Sequence, residues 1–278
     1  MKLSCLGPAG TFTEQAARFY APAAELFCTQ TIEESVARVL SGAADAAVVP
    51  IENSIEGVVN STVDQLIAAG GLAVKAQINL PVRQNFLVKK EYDPAKTPIQ
   101  TIFSHPQALA QSRKFTTEQY PGVPTSATTS TAEAARLVAA GAAENAAIGT
   151  AQTAALYQLK ILHENIQETD NNVTSFAVIS KTAPSPPTLL QKTSIVFSTQ
   201  NKPGELYKIL DIFVLWDINM TKIISRPMKR TPGEYVFLID IEGYQNLDDV
   251  NDALKMVQRK TTFYKNLGTY PVINCNQL

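Results

Sequence analysis

An apolar run passes directly into polar residues in the stretch Ala46-Ala47-Val48-Val49-Pro50-Ile51-Glu52-Asn53-Ser54. The first four residues predict a buried strand, and the proline is expected to end it. The carboxylate, amide and hydroxyl that follow then lie at the rim of a sheet, where open α/β folds bind ligands. We therefore predict an α/β protein with a ligand site at the end of this strand.

A second junction has the opposite order, with polar residues first. Asn171, Asn172, Thr174 and Ser175 precede the apolar run that begins at Phe176. The polar atoms are then expected at the entry of a strand, where they could join those of the first junction.

Apolar strand patterns alternate with alanine-rich helix patterns through the first 150 residues. The predicted strands are 2–6, 46–49, 86–89, 99–103 and 146–148, and the predicted helices are 13–20, 32–41, 63–69, 107–119 and 132–140. This alternation predicts a largely parallel sheet. We expect two such lobes, with chain crossings near 79–81 and around 157–162, and a ligand site in the cleft between them.

A proline-rich segment separates this region from a different pattern. Residues 181–190 hold three prolines within five positions, which excludes a helix. Beyond it, predicted strands at 194–198, 220–227, 234–242 and about 265–270 and helices at 204–216 and 247–258 give a βαββαβ, ferredoxin-like order. The predicted division is 1–181, a linker 182–191 and a second domain 192–278.

Composition excludes several classes of function. The 278 residues carry 24 basic and 25 acidic side chains, a balance that gives no footprint for nucleic acid or an anionic membrane. Three cysteines without a CxxC pair predict reduced thiols in the cytoplasm. Two histidines and no calcium-type acidic loop predict no metal, and no stretch is apolar enough for a signal peptide or a membrane span.

Two further motifs have both a functional and a structural interpretation. Gly7-Pro8-Ala9-Gly10-Thr11-Phe12-Thr13 could gather backbone amides and a helix N-terminus around an anion such as a carboxylate, or could be an ordinary strand-to-helix turn. Ser104-His105-Pro106-Gln107 could present polar groups to a ligand, or Ser104 could simply cap a helix that has Pro106 in its first turn.

Capping is an open alternative for two other polar runs as well. Asn53 or Ser54 could cap the helix that includes 63–66, although the stretch stays polar for longer than one cap requires. Ser130 and Thr131 stand at a typical helix start, and their hydroxyls could also reach the cleft.

The order and spacing of these motifs resemble the prephenate dehydratase family, from residue 3 to about 180 and on to about 270. The resemblance implies a two-lobed catalytic domain like a periplasmic binding protein, followed by a regulatory ACT domain. It also implies the conversion of prephenate to phenylpyruvate in phenylalanine biosynthesis. That reaction expels the ring hydroxyl as water and the ring carboxylate as carbon dioxide, and it needs no cofactor.

The resemblance also implies roles for individual residues. Thr174 matches the family's essential threonine and is expected to donate to the departing hydroxyl, with Glu52 as a second candidate proton source. The expected substrate-binding residues are polar groups of all four motifs and of the helix start at Ser130, together with one aromatic residue: Thr11, Asn53, Ser54, Ser104, His105, Gln107, Ser130, Thr131, Ser175 and Phe176.

Two segments of the second domain resemble the amino-acid-binding motifs of ACT domains. They predict a phenylalanine effector site at Gly204, Glu205, Leu206, Tyr207, Ser225, Arg226 and Pro227. ACT domains bind amino acids at subunit interfaces, so the resemblance implies a homodimer or homotetramer. A dimerisation module without an effector is the alternative for this domain.

Two departures from the family pattern bear on the site. Ser175 replaces the arginine of the family's Thr-Arg-Phe, which predicts the loss of a cation from a site that handles a dianion. Gln84 stands where a histidine is expected, with Arg83 beside it as a possible source of charge. Two other functions therefore remain open: a prephenate decarboxylase that does not aromatise its product, and a non-catalytic cytoplasmic protein that binds small anions or amino acids.

Overall fold

The structure is a computed structural model that describes residues 1–182, 191–228, 234–243 and 248–275. The predicted linker lies almost wholly outside the described residues. Within them, strands and helices follow one another along the chain in this order: β1 Lys2–Leu6, α1 Phe12–Tyr20, β2 Glu25–Thr29, α2 Ile32–Ser41, β3 Ala46–Asn53, β4 Gly57–Val58, α3 Asn60–Ala68, β5 Ala73–Pro81, β6 Asn85–Val88, β7 Thr101–Ser104, α4 Pro106–Gln111, α5 Arg113–Gln119, β8 Thr125–Ala127, α6 Thr131–Ala140, β9 Asn145–Gly149, α7 Ala151–Leu156, β10 Lys160–His163, β11 Val173–Ser180, β12 Gln191–Ser198, α8 Glu205–Leu215, β13 Met220–Pro227, β14 Tyr235–Glu242, α9 Asp248–Lys260 and β15 Phe263–Asn274.

The larger sheet has the strand order β13-β14-β12-β15-β5-β11-β3-β1-β2, with β4 paired to β3. Strand β1 is parallel to both β2 and β3, but β11 lies antiparallel between β3 and β5. The mixed α/β class is confirmed, and the prediction of a largely parallel sheet is wrong. The reason is the long excursion between β5 and β11, after which the chain re-enters the sheet at the end it left, with Val173 opposite Pro81, and so runs antiparallel to β5.

That excursion forms a smaller sheet with the order β10-β6-β9-β7-β8. The chain leaves the larger sheet after Pro81, as predicted, and returns between His163 and Val173. The predicted return at 157–162 is wrong, because Lys160–His163 is itself a strand that pairs with β6 at the edge of the smaller sheet.

The last strand belongs to two parts of the larger sheet. Phe263–Pro271 pairs with β12, whereas Val272, Ile273 and Asn274 pair in parallel with β5. Residues 191–275, which we call the C-terminal unit, therefore continue the sheet of the first part of the chain through β15. Their order β12-α8-β13-β14-α9-β15 is the predicted βαββαβ.

The two faces of the β2-β1-β3-β11-β5 region pack against different partners. Phe176 and Val178 pack on one face with residues of β1 and α1, such as Ala16. Ala177 and Ile179 pack on the other face, in a cluster that includes Leu238 of the C-terminal unit. Neighbouring residues of β11 thus belong to different environments, as the two-residue period of a strand requires.

Most predicted elements lie within a few residues of the observed ones. Two differ more: one strand is longer than predicted, and one predicted helix is two helices. Strand β3 runs on to Asn53 instead of ending at Pro50, because a register shift opposite Pro50 tolerates a residue without an N–H. The predicted helix 107–119 is two helices, since the chain turns at Ser112. Strands β2, β4, β5, β8 and β10 and helix α7 were not predicted.

Two general findings concern the described residues. None of their helices is both long enough and apolar enough to cross a membrane. Cys5, Cys28 and Cys275 are free thiols, and the sulfur atoms of Cys5 and Cys28 lie 3.9 Å apart on the neighbouring strands β1 and β2.

Candidate active site

A cleft of about 300 Å³ lies between the two sheets. One wall comes from the larger sheet and α1, and the other from the smaller sheet with α4 and α6. Its lining consists of Leu6, Thr11, Phe12, Thr13, Pro50, Asn53, Val82, Gln84, His105, Gln107, Ala108, Gln111, Thr129, Ser130, Thr131, Thr174 and Phe176. All four sequence motifs therefore contribute residues to a single site.

Strands β3 and β11 place an amide and a hydroxyl side by side in this cleft. Asn53 is opposite Thr174 in the strand register, and Asn53 Nδ2 donates a hydrogen bond to Thr174 Oγ1 at 3.0 Å. The hydroxyl oxygen is thus an acceptor in this pair. Its own proton remains available to donate to a ligand atom in the cleft.

The orientation of the Asn53 amide is fixed by its other partners. Asn53 Oδ1 accepts hydrogen bonds from the backbone N–H groups of Ile55 (3.0 Å) and Glu56 (3.1 Å), and Nδ2 also donates to Asn172 Oδ1 at 2.7 Å. Because the oxygen is occupied by two donors, the nitrogen must face Thr174. Asn53 is 8% exposed, so these bonds are shielded from solvent.

The turn after β1 brings α1 to the cleft. Thr11 caps α1, accepting from the Glu14 N–H, while its hydroxyl donates to the Leu6 carbonyl. Gly10 has φ +86°, and an added Cβ would lie 2.7 Å from Thr153 Cγ2, so only glycine suits this close approach. The Gly10 N–H is already bound by Glu14 Oε2 at 2.7 Å, so this amide is not free for an anion.

The opposite wall carries the predicted residues of α4 and α6. His105 caps α4 and its Nδ1 accepts from the Gln107 N–H at 3.4 Å. Ser130 caps α6, accepting from the Glu133 N–H at 3.0 Å. Helices α1 and α6 both begin at the cleft, where the partial positive charge of their N-termini favours an anionic ligand. Each cap residue therefore has a structural role in addition to its place in the lining.

Ser104 and Ser54 were predicted to contact the substrate, but the hydroxyls of both form hydrogen bonds within the fold instead. Ser104 is fully buried and its hydroxyl donates to the Ile148 carbonyl at 2.7 Å, which ties β7 to β9. Ser54 donates to the Asn171 carbonyl and accepts from the Val173 N–H, both at 2.9 Å, so it joins the ends of β3 and β11. Neither residue lines the cleft.

Glu52 and Ser175 are also corrected, because they lie on the other face of the strands. Each directly adjoins a cleft residue, and the two are opposite each other in the register. Glu52 forms an ion pair with Lys222 of β13 at 2.5 Å, and Ser175 donates to Asn79 Oδ1 at 2.8 Å. The structure therefore does not bring Glu52 and Ser175 to the lining of the cleft, where a proton source or a substrate contact is expected.

Two glutamines in the cleft were not among the predicted site residues. Gln84 is 3% exposed and its side-chain oxygen has no hydrogen-bond partner, and both polar atoms of the Gln111 amide are buried without a partner. A buried polar atom without a partner calls for an explanation, such as a bound water, ion or polar ligand. The sequence offered a sign for Gln84, because it stands where a histidine is expected. It offered none for Gln111, which lies in an ordinary helix pattern.

Arg83, considered as a source of charge for the site, is engaged elsewhere. It forms an ion pair with Asp170 at the surface, where the hydrogen bonds from Gln167 and Arg83 lower the pKa of the Asp170 carboxyl. The described residues that line the cleft include no lysine or arginine. Among the described residues, no group of three or more His, Cys, Asp or Glu could hold a metal ion.

The predicted effector residues lie on two elements of the C-terminal unit. Gly204, in a left-handed conformation with φ +80°, precedes α8, and Tyr207 on that helix is 68% exposed. Arg226 on β13 pairs in bidentate fashion with Asp64 of α3, at 2.8 and 3.1 Å. Its guanidinium therefore faces the first part of the chain in this structure.

Known proteins are similar to this chain over nearly its whole length. The family model described as prephenate dehydratase matches residues 3–184. The prephenate dehydratase of Lactococcus lactis subsp. cremoris is 37% identical over 284 residues, covering 100% of both chains. The structure of prephenate dehydratase from Arthrobacter aurescens in complex with L-Phe has a TM-score of 0.88 at 32% identity, covering 98% of this chain and 90% of that one.

A further solved structure carries a different description. GqqA, described as a novel type of quorum quenching acylase, has a TM-score of 0.87 at 28% identity and covers 98% of each chain. Chains with this architecture have thus been described with more than one activity.

Proposed function

The chain belongs to the prephenate dehydratase family, and we propose that it converts prephenate to phenylpyruvate in the biosynthesis of L-phenylalanine. The carboxylate on the ring leaves as carbon dioxide, and its bonding electrons enter the ring. The ring hydroxyl takes up a proton and leaves as water, so the ring becomes aromatic. Because aromatisation drives the reaction, the protein has mainly to orient the substrate and assist the departing oxygen.

The observation that carries this proposal is the hydrogen bond from Asn53 to Thr174 in the cleft. A threonine hydroxyl is a weak acid by itself. When its oxygen accepts a hydrogen bond from Asn53, the hydroxyl becomes a better donor, because successive hydrogen bonds polarise one another. Thr174 then donates to the hydroxyl that leaves the ring, and Asn53 holds Thr174 in place.

The two carboxylates of prephenate are held without a lysine or arginine from the lining. We assign them to the N-termini of α1 and α6, which approach the cleft from opposite walls with the hydroxyls of Thr11, Ser130 and Thr131 nearby. The amides of Gln84 and Gln111 supply further hydrogen bonds. Binding by dipoles and neutral groups keeps the ring carboxylate free to leave, since no ion pair has to be broken.

The finer architecture is part of the proposal. Residues 1–181 form a two-lobed catalytic domain that resembles a periplasmic binding protein, 182–191 a linker and 192–278 an ACT domain. The two sheets with a cleft between them and the βαββαβ order of the C-terminal unit support this division.

Regulation by phenylalanine is proposed for the C-terminal unit. The similar Arthrobacter aurescens protein was solved with L-Phe bound. The apolar side chains of Tyr207, Val214 and Leu215 on α8 are between 68% and 77% exposed, a surface that a second copy of the chain could cover. We propose a homodimer or homotetramer with phenylalanine bound where two C-terminal units meet.

The test is incubation of the purified protein with prephenate at neutral pH, with products identified by mass and ultraviolet spectrum. The spontaneous acid-catalysed reaction is subtracted. Phenylpyruvate above this background supports the proposal. A decarboxylated product that retains the hydroxyl indicates a non-aromatising decarboxylase, and unchanged prephenate indicates a binding protein or another activity of the fold.

A further inference from the structure

The two cleft residues Asn53 and Thr174 each adjoin a residue that is linked to the C-terminal unit, Glu52 directly and Ser175 through Asn79 of β5. In a strand, consecutive side chains point to opposite faces. Glu52 and Ser175 therefore lie behind the cleft, on the side of β3 and β11 that faces the C-terminal unit. A single peptide bond separates Asn53 from a direct contact with the C-terminal unit, whereas Thr174 is linked to that unit indirectly, through Ser175 and β5.

The first contact is the ion pair between Glu52 Oε2 and Lys222 Nζ at 2.5 Å. The Lys222 side chain is 11% exposed and that of Glu52 35%, so the pair is partly shielded from solvent. Lys222 also lies 3.8 Å from Asp240 Oδ2. Asp240 is nearly buried and is held by Lys192 (3.3 Å) and Ser194 (2.5 Å), so Lys222 is anchored within its own domain.

The second contact reaches Ser175 through the neighbouring strand. Ser175 donates to Asn79 Oδ1 at 2.8 Å, and Asn79 Nδ2 donates to Asn274 Oδ1 of β15 at 2.8 Å. Gln77 bonds to Asn79 and Ser175 and accepts from Lys192 Nζ at 3.1 Å. These polar side chains behind the cleft, together with Glu52 and Lys222, are called the rear network below.

We propose that the rear network positions Asn53 and Thr174, with Lys222 as its principal positioning residue. The C-terminal unit thereby determines the geometry of the cleft hydrogen bond from the opposite face of the same two strands. Any change in the position of β13, such as one caused by an effector, is transmitted to the cleft through Glu52. The catalytic part of this inference rests on the proposed dehydratase function.

An ion pair at this place suits such a role better than an apolar contact does. It is a charge-assisted hydrogen bond between one carboxylate and one ammonium, so its strength depends on both the distance and the angle between these two groups. A small displacement of reacting groups is costly, since errors of about 1 Å can lower a rate by about 100-fold. The pair is thus a sensitive link between domain position and turnover.

The experiment is a double-variant cycle in the full chain, with Lys222→Met, Glu52→Gln and both together. Each single variant is expected to lower kcat by about ten-fold and to change KM by less than about two-fold. The double variant is expected to lose no more than either single variant, because both remove the same interaction. Lys222→Arg should recover most of the loss, since it restores the cation.

The matched control is Asp64→Asn, which breaks a second ion pair between the first part of the chain and the C-terminal unit, that of Asp64 with Arg226. Asp64 lies on α3 and adjoins no cleft residue, so its basal kcat should stay within about two-fold of the wild type. Equal losses in Asp64→Asn and Lys222→Met would overturn the proposal, as would losses that multiply in the double variant.

A second measurement does not depend on prephenate. Hydrogen exchange of peptides covering 50–58 and 171–176 should become faster in Lys222→Met and Glu52→Gln but not in Asp64→Asn. If the wild type gives no phenylpyruvate, the proposed function fails and this measurement still tests the positioning. If the wild type is active and both exchange and kcat are unchanged in the variants, the positioning proposal alone fails.

Discussion

Asn53 Nδ2 lies 3.0 Å from Thr174 Oγ1, across two antiparallel strands whose residues are 121 positions apart in the chain. The pair joins the first polar junction of the sequence to the second. Neither residue has a charge, so the chemistry of the site depends on how accurately one hydroxyl is oriented.

The first prediction concerns the Thr174 hydroxyl. Thr174→Ala removes the proposed donor to the departing oxygen and should lower kcat by about 100-fold, within the range of a lost general acid. Thr174→Ser keeps the hydroxyl and should retain most of the activity. Steady-state kinetics with prephenate measure both, and full activity in Thr174→Ala would remove Thr174 from the mechanism.

The second prediction concerns the orientation of that hydroxyl. Asn53→Ala removes the donor to Thr174 and also the acceptor for two backbone N–H groups, so we expect a fall of about ten-fold in kcat and a loss of about 1–2 kcal/mol in unfolding free energy. Combining it with Thr174→Ala should add little to the kinetic loss. Losses that simply multiply would show that the two residues act independently.

The third prediction concerns the unpaired glutamines. Gln111→Ala should raise KM by about ten-fold with a smaller effect on kcat, because its buried amide gains partners only when a polar ligand is bound. Gln152→Ala is the control, since its side-chain oxygen is also buried without a partner but does not line the cleft. An equal rise in KM in both variants would contradict the assignment.

The fourth prediction separates stability from function at Ser104. Ser104→Ala leaves the Ile148 carbonyl without its side-chain donor and should lower the free energy of unfolding by about 1–2 kcal/mol. Because the hydroxyl is directed away from the cleft, kcat and KM should stay within about two-fold of the wild type. Denaturant unfolding and steady-state kinetics on the same preparation test this, and a kinetic defect without a loss of stability would restore Ser104 to the site.

The fifth prediction is a pH dependence at the exposed Cys28 thiol. The hydrogen bond from Cys5 lowers the pKa of Cys28 to about 7, whereas the same contact and burial raise the pKa of Cys5. The thiolate is the reactive form, so alkylation of Cys28 by iodoacetamide should be half-maximal in rate near pH 7 and fall below it.

Peptide mapping by mass spectrometry follows this reaction, with Cys275 as the internal comparison because burial raises its pKa. Cys5→Ala removes the hydrogen bond, so the midpoint for Cys28 should move upwards toward the ordinary value of about 8.5. An unchanged midpoint in Cys5→Ala would show that Cys5 does not stabilise the thiolate.

Local patterns predicted most elements and the four motifs of the cleft. The hydrophobic period of residues 32–41 predicted α2 with its observed bounds, and the polar residues of Gly7–Thr13 do reach the cleft. Proximity of Asn53 and Thr174 was expected because both were placed at strand ends. Each of these inferences used only residues within one short segment.

The errors arose where pairing between distant strands decides the outcome. Glu52 and Asn53 look equivalent in the sequence, but pairing with β11 extends β3 to Asn53, and consecutive residues of a strand lie on opposite faces. The direction of β11 depends on the end of the larger sheet to which the chain returns after the smaller sheet. No pattern within a short segment of sequence predicts that end. Ser104 was judged by its neighbours in the motif, although its partner Ile148 is 44 residues away.

The course of β15 determines whether the C-terminal unit can be removed or exchanged without disrupting the larger sheet. Phe263–Pro271 pairs within the C-terminal unit, and the next three residues complete the sheet beside β5. Truncation of the chain before residue 182 would therefore remove the strand that pairs with one side of β5. The exposed edge of β5, whose residues are buried or half-buried in the full chain, would then be prone to aggregation. The C-terminal unit is consequently not an exchangeable module, because recombination between relatives must exchange β15 and β5 together to keep the pairing of these two strands.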